Sequence, residues 1–164
     1  MKNLLWSISV LSLLLFAACQ SKDASLATQI TEQAAAAEAN VPEFTTTGTN
    51  LSNLVDQVQK VPDALKKDTA SNYELVQRRI VTFQPKYDKL NGDYESLLQQ
   101  MKTLSADYAA GKIGTDEAKK KYDEISAELK SIGEHLKSYQ ETYNQFSADY
   151  AKMMADFKGS TESN

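Results

Sequence analysis

At 164 residues the chain has the length of one ordinary domain, and its 18 basic against 22 acidic residues leave a formal net charge of −4. A mildly acidic chain with interspersed charges lacks the basic stripe needed to displace counterions from phosphate, which excludes nucleic acid as a partner. Few glycines and prolines, beside plentiful Ala, Leu, Lys, Glu, Gln and Asp, point to an all-α fold.

In chain order, the first element is an address. Lys2 supplies a positive start, and the apolar run LLWSISVLSLLLFAA covers residues 4–18, so residues 1–18 read as a secretory signal peptide. The run falls short of the roughly twenty residues that span a bilayer, and Ser7, Ser9 and Ser12 weaken it, so a retained anchor is the minor alternative. Phe16-Ala17-Ala18-Cys19 resembles the lipobox of bacterial lipoproteins, although most such boxes have leucine where Phe16 stands. The resemblance implies that Cys19, the single cysteine, is acylated and becomes the mature N-terminus, with the lipid bilayer as a partner. Several acyl chains, at about 0.8 kcal/mol per buried methylene, hold a protein to a membrane essentially for good. An ordinary signal peptide cut after Ala18 is the competing reading. Gln20 resembles the non-acidic residue that directs lipoproteins to the outer membrane of a Gram-negative cell; in a Gram-positive host the address is the cell surface.

Residues 19–49 carry no sustained apolar face and are expected to form a flexible tether, with Pro42, the threonine run and Gly48 breaking whatever helix the alanines start. Residues 50–67 then repeat a three–four spacing at Leu51, Leu54, Val58, Val61 and Leu65, which predicts a short helix with Pro62 as a kink.

Residues 71–158 hold the strongest pattern. Tyr73, Val76, Ile80, Phe83, Tyr87, Leu90, Tyr94, Leu97, Met101, Leu104 and Tyr108 alternate three and four apart. So do Ala118, Tyr122, Ile125, Leu129, Ile132, Leu136, Tyr139, Tyr143, Phe146, Tyr150, Met153 and Phe157. A turn near 110–115, with Gly111 closing one helix and Thr115 capping the next, makes the two arms antiparallel. Ser71 and Glu74 form a prospective capping box. The predicted architecture is therefore a long, coiled-coil-like antiparallel helical hairpin, with the short third helix packed at the end near the termini and a disordered tail over 159–164. One register places Leu90 opposite Leu136 and Phe83 opposite Tyr143, and sets Arg79 near Asp149, Asp107 near Lys121 and Asp93 near His135. Pro85, on the outward face, is expected to bend its arm without ending it.

One flank of the hairpin is uncharged: Gln77, Gln84, Asn91, Leu98 and Ser105 on one arm, and Ser126, Gly133, Gln140, Ser147 and Met154 on the other. Leu98, Ser126, Gly133 and Met154, with Lys119, Lys120 and Lys121 near the turn, form the candidate interaction surface, unless the short helix covers part of it. The three lysines are adjacent to acids, which favours a solvated face over a polyanion site. The eight tyrosines all fall on the seams, where rings pack and hydroxyls reach water. His135 has no companion at metal-ligand spacing, and no nucleophile elbow or phosphate-cradling loop occurs, so neither cofactor nor catalytic residue is assigned. Three functions compete: a membrane-tethered interaction or spacer module acting on an envelope protein, a self-associating structural homo-oligomer, and a cell-wall-polymer binder.

Overall fold

In the computed structural model, residues 23–68 and 71–162 are described. Four helices follow in order: α1 (Ala24–Gln59), α2 (Asp63–Lys67), α3 (Tyr73–Ala109) and α4 (Thr115–Glu162). The protein is all-α among the described residues, with three long helices packed as a bundle and one short helix. At 1.5 Å per residue, α1 and α3 are each about 55 Å long and α4 about 70 Å, so the bundle is a rod.

The seam positions of α3 and α4 are all buried or half-buried. Antiparallel pairing is seen at Arg79–Asp149, 2.7 Å, and at Phe83, whose ring lies 4.8 Å from Tyr139 and 5.3 Å edge-on from Phe146. The two other predicted cross-helix charge pairs are replaced by local ones. Asp107 holds Lys112, Lys121 holds Glu117, and Asp93 holds Lys89, while His135 is exposed. Residues three to five apart on one helix meet without ordering a second backbone, so the local partner wins for long exposed side chains.

The turn closes on Gly111, at φ 71°, in a Schellman arrangement: Gly111 N–H donates to Tyr108 O (3.0 Å) and Lys112 N–H to Asp107 O (2.9 Å). Thr115 is the first residue of α4, and its hydroxyl meets Tyr108 Oη at 3.1 Å. The expected capping box before α3 gives way to a tighter turn. Asn72 takes a left-handed φ of 54°, and Ser71 Oγ accepts from Tyr73 N–H while lying 2.7 Å from Asp68 O.

The largest departure from the sequence reading lies in residues 24–49, which form helix where a tether is expected; the short helix over 50–67 is the last part of α1 followed by α2. The third helix therefore runs the length of α3 instead of covering one end. Its buried stripe is Leu26, Ile30, Ala34, Ala37, Phe44, Thr47, Leu51, Leu54 and Val58, with Val41 and Gly48 half-buried. Pro42 costs about 3 kcal/mol inside a helix and Gly48 about 1 kcal/mol. Six large apolar side chains on this stripe, each contributing about 1.5–3 kcal/mol on burial, outweigh both. Pro42 and Glu38 are exposed, so the carbonyl that Pro42 leaves without a donor faces water. Thr45 and Thr46 turn their hydroxyls onto the carbonyls of Val41 and Pro42, at 3.0 and 2.8 Å. α3 likewise continues through exposed Pro85. At the other terminus α4 runs to Glu162, so helix also replaces most of the expected tail over 159–164.

Candidate functional site

The uncharged flank of the hairpin is the seat of α1. Leu98 is buried in the same cluster as Leu26, Ile30, Ala34 and Ala37, which withdraws it from the candidate interaction surface. Polar contacts follow the same line: Ser105 with Thr31 at 3.3 Å, Gln84 with Ser52 at 3.1 Å, and Gln140 with Glu43 at 2.7 Å. Lys102 pairs with Glu38 at 2.8 Å along the edge. Ser126 and Gly133 are half-buried, and Met154 packs half-buried on the cluster that includes Phe146 and Met153. The flank lacks charge because it meets another helix of the same chain, a cause that the two arms alone could not reveal.

Ser126 Oγ is fully buried and has no hydrogen-bond partner among the described residues. An unpaired buried hydroxyl costs about 1–3 kcal/mol. Ser126→Ala is thus expected to raise stability by about 1 kcal/mol, visible as a higher urea midpoint at unchanged slope; a loss of stability would mean that the hydroxyl has a partner.

Three tyrosines of α3 join it to α1. Their hydroxyls do not turn to water: Tyr87 Oη donates to Phe44 O, Tyr94 Oη to Ala37 O (2.7 Å), and Tyr108 Oη lies 3.4 Å from Asp23 O. Met101 and Ile30, both fully buried, occupy the step between the last two. Acceptors and donors each advance by multiples of seven in opposite directions, so one antiparallel register satisfies the set. Phe44 stacks on Tyr94 at 4.2 Å. Burial pushes the Tyr87 hydroxyl up to about 12 and raises that of Tyr94. At Gly48 an added Cβ would meet Tyr87 Cε1 at 3.1 Å, so the glycine makes room for that ring.

The rod has two chemically distinct ends. At the turn end, Tyr108 Oη accepts from Asp23 N–H at 2.8 Å, and the Asp23 carboxylate caps α1 by accepting from Ser25 N–H (2.8 Å) and Leu26 N–H (3.3 Å). The start of α1 is therefore held beside the α3–α4 turn. Lys119, Lys120 and Lys121 are exposed there and pair with Asp123 (3.4 Å), Glu124 (3.9 Å) and Glu117 (2.7 Å). The hydrogen bond from Glu117 holds the Lys121 ammonium above the usual lysine range. With Asp107 on Lys112 and Asp116 nearby, acids balance this cluster, which removes the electrostatic argument for a polyanion.

At the far end, α2 and the start of α3 form a shallow cleft lined by Lys66, Asn72, Leu75 and Arg78. Leu75 is 47% exposed, and it is the one large apolar side chain so exposed among the described residues. No group of three or more His, Cys, Asp or Glu able to hold a metal occurs among the described residues, and no described helix is long and apolar enough to cross a membrane. Cys19, the predicted lipidation site, lies outside the described residues.

Comparison with protein-family models, with curated proteins and with solved structures returns no match for this chain.

Proposed function

We propose that the chain is a cell-envelope lipoprotein, acylated on Cys19, whose helical rod acts as a non-enzymatic interaction or spacer module. The observation that carries this reading is the apolar run over residues 4–18 ending in Phe16-Ala17-Ala18-Cys19, with the single cysteine placed at its close. The coiled-coil-like pairing of α3 and α4 supports it, because a stiff rod sets a fixed distance between an anchor and whatever its other end meets. The surface supports it too: most exposed charges are paired locally, which suits a solvated spacer. Hairpin-to-hairpin association has less support than the sequence offered, since the uncharged flank meant for it accommodates α1.

Cys19→Ala is expected to abolish acylation and to move the protein from the detergent-rich to the aqueous phase on cloud-point partitioning. The N-terminal peptide of the wild-type mature protein should carry the mass of its acyl chains. A mature wild-type protein with an unmodified thiol at Cys19, or one that begins elsewhere, overturns the reading.

A further inference from the structure

The start of α1 sits at the turn end of the rod. Asp23 N–H is held by Tyr108 Oη, itself 3.1 Å from Thr115 Oγ1, so three segments meet there: the entry to α1, the last turn of α3 and the first of α4. From Cys19 to Asp23 there are four Cα-to-Cα steps, which span no more than about 14 Å even fully extended. The far end, where α2 meets the start of α3, lies about 55 Å away along α3. A lipid on Cys19 can therefore be near one end of the rod only.

We propose that the protein is mounted turn-first on the bilayer: the α3–α4 turn faces the lipid surface, and the end bearing Leu75 and Arg78 is held away from it. This rests on the acylation of Cys19 proposed above, but the geometry is a separate claim. The occupant of the turn end is a lipid surface because the covalent path to the anchor is about a quarter of the rod's length. Charge attraction is not the cause. Lys112, Lys119, Lys120 and Lys121 already have carboxylate partners, so the anchor keeps this end near the headgroups whatever their charge. The rod then acts as a standoff. It removes the far cleft from the membrane by a distance that a thirty-residue flexible leash would leave undefined.

The test uses the acylated full chain purified from membranes and reconstituted into phosphatidylcholine vesicles containing a small fraction of acceptor-labelled phosphatidylethanolamine. A donor fluorophore is introduced through a non-natural amino acid at position 112 or at position 75, both exposed. Energy transfer to the headgroups is expected to be several-fold stronger from position 112. Equal transfer from the two positions, as for a rod lying flat, overturns the proposal, and so does stronger transfer from position 75. A second arm couples the thiol of Cys19 directly to maleimide-bearing lipid in the same vesicles. If the cellular protein proves unacylated, the proposed function fails, yet this arm still decides the geometry by the same comparison.

Discussion

Ala37→Asp is expected to detach α1 from the hairpin and to destabilise the protein by about 3 kcal/mol or more, the cost of an uncompensated buried charge. Ala37 is 3% exposed, in a cluster made of Leu, Ile, Ala, Phe, Tyr and Met side chains with no cation among them. A carboxylate there either loses its hydration or forces the helices apart. Separation would also break the Tyr94 hydrogen bond to the Ala37 carbonyl and the stack of Tyr94 on Phe44. Ala39→Asp is the matched control. Ala39 is exposed two residues on, so the same change in helix propensity is made with no charge buried, and its cost should stay within about 0.7 kcal/mol. Amide hydrogen exchange reads the difference directly: Ala37→Asp should strip protection from residues 24–59 while leaving much of the α3–α4 interface protected. Equal behaviour of the two variants would return residues 24–49 to the status of a tether.

Truncating Tyr87 should be as severe. Its ring is fully buried among Gly48, Phe44 and Tyr139, and removing a buried aromatic side chain costs about 3–5 kcal/mol, so Tyr87→Ala is expected to fall in that range in urea unfolding. Tyr87→Phe keeps the ring and loses only the hydrogen bond to Phe44 O, at about 1 kcal/mol. Gly48 supplies a coupled check. In the native background Gly48→Ala sets a helix-propensity gain of about 1 kcal/mol against the close approach of Tyr87 Cε1. In the Tyr87→Ala background the opposition is gone, and the same substitution should be clearly stabilising. Additive effects would mean that the glycine is not there for the ring.

The same tyrosine makes the protein sensitive to alkali. With its folded value pushed up to about 12 by burial, Tyr87 keeps a proton that the unfolded chain releases near 10. Its contribution is thus fully present below pH 10 and is lost as pH climbs towards 12, and burial acts in the same direction on Tyr94. Two pH units correspond to about 2.7 kcal/mol, and Tyr87→Phe should flatten that part of the stability profile.

Much of this architecture was legible in the residues, and the failures have physical causes. The seams of α3 and α4 were readable because large apolar residues recur over ten turns or more, a signal that needs no partner to be recognised. Residues 24–49 carry the same period at Leu26, Ile30, Ala34, Ala37, Val41 and Phe44, but half of those positions are small, and alanine is read as neutral. Three lines pointed to a docked helix: the alanines in phase, the uncharged flank opposite, and seam tyrosines with no stated partner for their hydroxyls. For the turn, Gly111 could be placed from sequence since only its own backbone decides it. The roles of Ser71 and Thr115 could not, because Asp68 and Tyr108 compete for their hydroxyls.

Local order and the antiparallel pairing of two arms belong to the chain as written, since periodicity, a short turn and a left-handed glycine leave little freedom. The position of the first helix was decided only in three dimensions. A stripe of Ala34, Ala37, Thr47 and Gly48 is nearly silent by itself and becomes a binding face when the rings of Tyr87 and Tyr94 lie across it, because close approach lets their hydroxyls reach backbone carbonyls. That packing turns an expected leash into a third strut and brings Asp23, and the anchor four residues before it, to the turn end of the rod.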